Sequence, residues 1–195
     1  TLDGLTTVAI DAENVSTITS TGLADINTLY ASSGFSGLGD ETIEITDELS
    51  VAEANILDDL TTGSIVATIG SARVSELLDE STPLLDANEN NAYTISISEE
   101  DTAVSASDLN AINAITSIAV NLANVTSITA NSTTDLTTLN TNRDEFSNIT
   151  GITAIAVVTV DSSGADIFLD YGTLETIVDN YQTNFNSDVA FSFQS

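Results

Sequence analysis

Three side chains come nearest to a binding site in this sequence: Asp86, Asn88 and Asn90. Asp86-x-Asn88-x-Asn90 reproduces the first three ligand positions of an EF-hand loop, which present oxygen atoms to calcium, a hard cation that takes oxygen ligands. The pattern then departs from that loop. Asn91 stands where the sharp turn requires Gly, and Ile97 stands where a bidentate Glu belongs. A stretch rich in Asp and Asn also forms turns with no ion present, because these side chains bond their own backbone. The segment is thus a candidate calcium loop and equally a candidate plain turn, with Glu99-Glu100-Asp101 as a further source of carboxylates. No cofactor other than calcium is expected.

Most other site chemistry is closed to this chain. It has no His and no Cys, so the usual zinc, haem and iron–sulfur ligand sets cannot be assembled. Ser-His-Asp and Cys-His arrangements fall with them, and the absence of Lys removes amine nucleophiles. The Gly-containing stretch Gly34 to Gly39 leads into an alternating strand, whereas a phosphate loop leads into a helix. Paired carboxylates could still hydrolyse a glycoside. With 30 acidic residues, however, close pairs arise without purpose, so the expectation is a protein that is not an enzyme.

Charge narrows the partners. Against the 30 acidic residues stand only Arg73 and Arg143, giving a net charge of −28. Nucleic-acid binding needs clustered Lys or Arg to displace counterions from phosphates, so no nucleic acid is expected. Anionic membrane surfaces are disfavoured on the same ground, and no apolar run reaches the length of a membrane span, so no membrane insertion is expected. Self-repulsion at this charge must be screened by salt or bound cations. Hydrophobic residues make up 42% of the chain and aromatic ones 5%, so a core is available but must be built from Ile, Leu, Val and Ala. An acidic, Lys-free surface of Ser, Thr and Asn points to an extracellular or cell-surface setting in salty water.

Organisation is the strongest signal. Leu2-Asp3-Gly4-Leu5-Thr6-Thr7 returns as Leu57-Asp58-Asp59-Leu60-Thr61-Thr62 and, degraded, as Ile112-Asn113-Ala114-Ile115-Thr116-Ser117, at the same interval both times. A fixed period of about 55 residues is the mark of stacked repeats that share one core. β-Branched strands are expected at 8–10, 15–19, 42–46, 65–69, 93–98, 118–122, 125–129, 155–160 and 189–193. Thr42-Ile43-Glu44-Ile45-Thr46 and Tyr93 to Ser98 alternate strictly, as strands buried on one face do. Helices are expected at 23–30, 51–60, 74–78, 135–146 and 172–181, with a further one opened by Ser105. Ser50-Val51-Ala52-Glu53 has the capping-box form, and Ser105 to Asp108 fills the same role. Pro83 follows the helix near Leu78 and stops it.

The order within each period is strand, helix, strand, helix, which implies parallel strands with crossover connections. The expected fold is therefore an α/β solenoid with a parallel sheet, Leu2, Leu57 and Ile112 stacking as equivalent positions. The alternative is an all-β sandwich in which these helices are loops. Residues 1–150 hold two and a half to three units. Residues 151–195 depart from the pattern and read as a capping or assembly unit.

Ser105-Ala106-x-Asp108-Leu109-Asn110-x-Ile112 to Thr116, followed by Val125-Thr126-Ser127-Ile128-Thr129 and a second helix, resembles Thr-, Ala- and Leu-rich repeats. Gly34 to Glu41 with its following strand fits the same pattern. Such repeats occur in very long secreted and cell-surface proteins of cyanobacteria and other aquatic bacteria, and in virion proteins of their phages. The resemblance covers about residues 1–150. It implies a structural or adhesive role, such as a surface layer, filament or adhesin stalk, and carries over no catalytic residue. A virion fibre, appendage or capsid decoration is the second expectation. A carbohydrate-binding module is the third, although it would need an aromatic platform that four Tyr and six Phe hardly supply.

The tail adds an expectation of self-assembly. Five of the six Phe lie at position 146 or later, and Val189-Ala190-Phe191-Ser192-Phe193 alternates with no Lys, Arg or Pro to guard its edge. Phe191 and Phe193 are accordingly the candidate assembly residues of a homo-oligomer or polymer.

Overall fold

The computed structural model describes residues 3–70, 73–86, 91–130, 133–149, 154–159 and 188–193, the last two segments as backbone. Twelve strands and five α-helices are found among them. The strands are β1 (Ile10–Asp11), β2 (Thr17–Ser20), β3 (Phe35–Ser36), β4 (Thr42–Leu49), β5 (Ile65–Ile69), β6 (Ala92–Ile95), β7 (Ala103–Ser105), β8 (Val120–Asn121), β9 (Ser127–Ala130), β10 (Phe146–Ser147), β11 (Ala154–Thr159) and β12 (Asp188–Phe193). The helices are α1 (Leu23–Tyr30), α2 (Val51–Asp58), α3 (Val74–Leu77), α4 (Ala106–Asn113) and α5 (Thr133–Thr141).

Every registered strand pair is parallel. Two four-stranded sheets run β2-β4-β5-β6 and β12-β11-β9-β7, and two short pairs join β1 to β3 and β10 to β8. Ile10 meets Phe35, Thr17 meets Thr42, Ile43 meets Ile65, Leu49 meets Ile69, Val66 meets Ala92, Ala103 meets Ser127 and Ser127 meets Ala154. Sequence distance between these partners runs from 20 to 27 residues. A bridge from Ser96 to Asn121 continues the series, whereas β12 follows β11 at a longer interval, Ala154 meeting Asp188. The chain thus passes the same place every 25 or so positions, a stride of about 25 residues that falls in the range of solenoid units. One sequence period, from Leu2 to Leu57 or from Leu57 to Ile112, takes in two such passes. The antiparallel arrangement of an all-β sandwich is not found among the described residues. Parallel strands need crossovers, and helices supply them here.

Alternation fixes which face is buried. In β4, Ile43, Ile45 and Leu49 are buried while Glu44, Thr46 and Glu48 are exposed, and in β5 Ile65, Ala67 and Ile69 turn inward. They join Ala54 and Leu57 of α2, Leu77 of α3, Leu109 and Ile112 of α4, and Leu136 and Leu139 of α5 in one hydrophobic cluster. The register of β4 slips between Glu44 and Glu48.

Helix starts follow their caps. The Ser50 hydroxyl accepts from the Glu53 amide at 3.3 Å, and the Glu53 carboxylate accepts from the Ser50 amide at 2.9 Å, a complete capping box. Ser105 accepts from the Asp108 amide at 3.0 Å, but Asp108 does not return the bond, because its side chain is one methylene shorter than Glu. The helix expected over 135–146 begins earlier, at Thr133, and gives way after Thr141 to a 3-10 turn at Arg143–Glu145. Strands β3, β7 and β10 were not expected. The unit therefore carries more strands than a simple strand-helix-strand-helix order. Leu2 and the helix expected over 172–181 lie outside the described residues.

Candidate functional site

Two buried polar corners hold the side chains with the most unusual environments. Each sits where the segment after a helix meets the preceding pass of the chain. At the first, Thr61, buried, donates its hydroxyl to the carbonyl of Glu41 at 2.7 Å and accepts from the Gly63 amide at 2.9 Å. Thr62 donates to the Gly39 carbonyl from its amide at 2.8 Å and from its hydroxyl at 3.2 Å. Gly63 lies so close beneath this strand that a Cβ would come within 2.4 Å of the Glu41 carbonyl oxygen. Gly39, with φ at +131°, makes the turn that brings the carbonyls into place.

The Glu41 side chain closes that corner. Its carboxylate accepts from the Tyr30 hydroxyl and from the amides of Gly39 at 2.8 Å and Asp40 at 3.0 Å. Burial alone would push this carboxyl upward, but the three donors outweigh it and hold it below the usual carboxylate range. Burial, followed by the bond to Glu41 and the charge of Glu41, raises the Tyr30 phenol well above its ordinary value. The pair is a neutral phenol donating to an ionised carboxylate.

At the second corner Thr116 donates to the Tyr93 carbonyl at 2.7 Å and accepts from the Ile118 amide at 3.1 Å. Ser117 donates to the Asn91 carbonyl from its amide at 2.9 Å and its hydroxyl at 3.1 Å. The filling differs. Asn91, fully buried, donates to Asp58 at 2.8 Å and to the Tyr93 hydroxyl at 3.1 Å, and accepts from the Ile65 amide at 2.8 Å. Burial first, then the charges of Asp58 and Asp86, push the Tyr93 phenol up.

A third contact, also one sequence period apart, ties a helix to the pass that follows it. Asn55 donates to the Pro83 carbonyl at 2.7 Å and accepts from the Leu85 amide at 2.9 Å, while Asn110 donates to the Asp135 carbonyl at 2.9 Å. Ser50 and Ser105, Asn55 and Asn110, Thr61 and Thr116, and Thr62 and Ser117 are each separated by one sequence period.

Of the calcium candidates, Asp86 accepts from the Asn91 amide at 3.0 Å, while Asn88 and Asn90 lie outside the described residues. Among the described residues no three acidic side chains converge in a metal-sized cluster. Asp101 accepts from the Val74 amide at 2.7 Å and Glu100 pairs with Arg73, so this acidic run anchors the start of α3. Phe191 and Phe193 lie in β12, in register with Val157 and Thr159 of β11, and β12 is an outer strand of its sheet.

A groove of about 870 Å³ opens between α2 and α3, lined by Glu48, Ser50, Asn55, Ile56, Glu76 and Asp79 among others. Asp79 accepts from the Ser81 and Thr82 amides, which hold its carboxyl below the usual range. Glu76 accepts from the Arg73 amide. These carboxylates act as acceptors for backbone N–H groups, and no aromatic ring lines the groove.

The Thr and Asn contacts were unforeseen, although the Thr-Thr and Thr-Ser ends of the repeated phrase were the signal that could have found them. No family model, no curated protein and no solved structure matches the chain.

Proposed function

We propose that this chain is a non-enzymatic structural repeat protein, an α/β solenoid whose repeat unit makes two turns, built for an extracellular or cell-surface assembly. One observation carries the reading: Thr61 and Thr116, and likewise Asn55 and Asn110, stand one sequence period apart, and each donates to a backbone carbonyl of a neighbouring pass. Stacked repeats are stabilised by such nearest-neighbour interfaces. The buried polar groups fit the same role. A neutral phenol on an ionised carboxylate, and an amide shared between Asp58 and Tyr93, are closed sets of donors and acceptors that brace a corner. A surface carrying −28 keeps single units soluble until salt or cations screen them.

Negative-stain microscopy of purified protein, with and without calcium, tests the reading. Filaments, sheets or regular oligomers are expected. Isolated particles in both conditions, together with turnover on a polysaccharide panel that one Asp or Glu to Ala change abolishes, would overturn it.

A further inference from the structure

The helix layer is uneven. α2 and α4 begin one sequence period apart and have eight residues each, but α3, which follows α2, has only four. α4 packs against the nine-residue α5, whereas the space between α2 and α3 stays open as the groove of about 870 Å³. Side chains differ with the cover. Glu48, Ala52 and Ile56 line the groove, and one period later their places are taken by Ala103, Ser107 and Ala111. Ile56 is 44% exposed and shares the floor of the groove with Leu49 and Val51.

Around that floor stand Glu48, Glu76 and Asp79, all exposed. Local structure fixes each of them. Four positions of β4, from Glu44 to Glu48, pass against two of β5, from Val66 to Thr68, and this bulge sets Glu48 opposite Thr68. Bulges of this kind re-aim side chains beside functional sites. Glu76 is held by the Arg73 amide, and Asp79 by the amides of Ser81 and Thr82. No basic side chain lines the groove, and Arg73 pairs with Glu100. Asn55, bonded to the Pro83 carbonyl and the Leu85 amide, joins α2 to the segment beyond Thr82.

We propose that this groove docks a cationic segment of a different protein, one in which an apolar side chain is flanked by Arg or Lys. Charge complementarity names the occupant. The floor at Ile56 takes the apolar side chain, and the three carboxylates around it take the flanking cations. Two of those carboxylates are already held by backbone amides, so little ordering is left to be done on binding. A second copy of this chain fits poorly, because it brings no Lys and two Arg that are both paired with carboxylates. Nucleic acid and anionic lipid are repelled by the rim, and a sugar finds no ring to stack on.

Fluorescence anisotropy tests the site with a labelled peptide that carries one Leu between paired Arg residues, and with a counterpart that has Ser in place of that Leu. The parent chain is compared with Ile56→Ser, with Glu48→Gln/Asp79→Asn, and with Glu13→Gln/Asp25→Asn, which removes two exposed charges outside the groove. Circular dichroism first verifies that these surface changes leave the fold intact. The parent is expected to bind the Leu peptide, about tenfold more weakly after Ile56→Ser or after the loss of the two groove carboxylates. The control pair should change binding by less than about twofold, as scattered surface charges do. Equal weakening in both double variants, or equal binding of the Ser peptide, would reduce the contact to overall charge and overturn the site. Absence of binding to either peptide would overturn it too, and so would self-association of the parent that Ile56→Ser abolishes, since a second copy would then fill the groove. The assembly reading is decided apart from this, because peptide binding without filaments sustains the groove alone and filaments without peptide binding sustain only the assembly.

Discussion

The corners at Glu41 and at Tyr93 are built on the same backbone plan and filled with different side chains. In both, a Thr hydroxyl holds one carbonyl of the preceding pass and its neighbour holds another with two bonds. Beneath that clamp, one corner carries a carboxylate with a phenol and two amides. The other carries an Asn shared between Asp58 and Tyr93. The backbone contact is the same at both corners, so it tolerates little variation. The filling must only satisfy its own donors and acceptors, and many sets do so. A repeat can therefore keep its stacking contacts while its interior drifts, which is why the phrase at 112–117 is recognisable yet degraded.

The largest effect should come from the apolar residue shared by both units. Leu57 and Ile112 are fully buried, and Leu57→Ala or Ile112→Ala should each cost about 2–5 kcal/mol in urea unfolding. Near-neutral results would break the equivalence of the two positions.

Tyr30→Phe attacks the filling of one corner and should cost about 1.5–3 kcal/mol at neutral pH, the range for a bond to a charged group. The Glu41 carboxyl is depressed in the folded state, so its contribution is present above the unfolded pKa and is lost as pH falls through the lower folded value. Without the phenol the folded value rises. Acid unfolding should begin at higher pH in the variant, and the gap between variant and parent should narrow in strong acid. A gap that persists there would mean that lost packing, and not the hydrogen bond, dominates.

Thr61→Val and Thr116→Val attack the shared clamp and should each cost about 1–3 kcal/mol, because a buried carbonyl and an amide lose their partner. Thr6→Val should stay within about 0.5 kcal/mol, since Thr6 is exposed and its hydroxyl bonds Val8 of its own turn. Equal losses at all three sites would show that the local turn matters and the contact between passes does not.

Smallest are the caps. Ser50→Ala should cost about 0.5–2 kcal/mol and Ser105→Ala should fall lower in that range, because only Ser50 has Glu53 reciprocating. Thermal melts of the two variants make the comparison.

Much of the mixed α/β character was legible in the residues. α1 and β5 have the bounds expected of them, because Leu23 to Tyr30 and Ile65 to Ile69 combine clear patterns with clear breaks. β3, β7 and β10 were hidden because two or three residues such as Phe35-Ser36 carry no period of their own. They are strands only because the neighbouring pass lies alongside. The helix expected through Phe146 ends at Thr141, where β-branched and Asn side chains compete with the helical backbone. The polar corners were illegible for a different reason. Asn91 finds Asp58 on another pass of the chain, and the Thr and Ser clamps likewise reach back to Glu41 and Asn91. Those distances follow from the stride of the chain, which the sequence period conceals by counting two passes as one.

The stride has a mechanical meaning. Within each sheet the strands follow one another in chain order, most partners lying about 25 residues apart, so a pull on the two ends loads them one interface after another. Each released pass of about 25 residues lets out roughly 80–90 Å of chain. A stalk of such passes would lengthen in near-equal steps under tension, dissipating work at each step, and would re-form by neighbour-to-neighbour pairing once the load is removed.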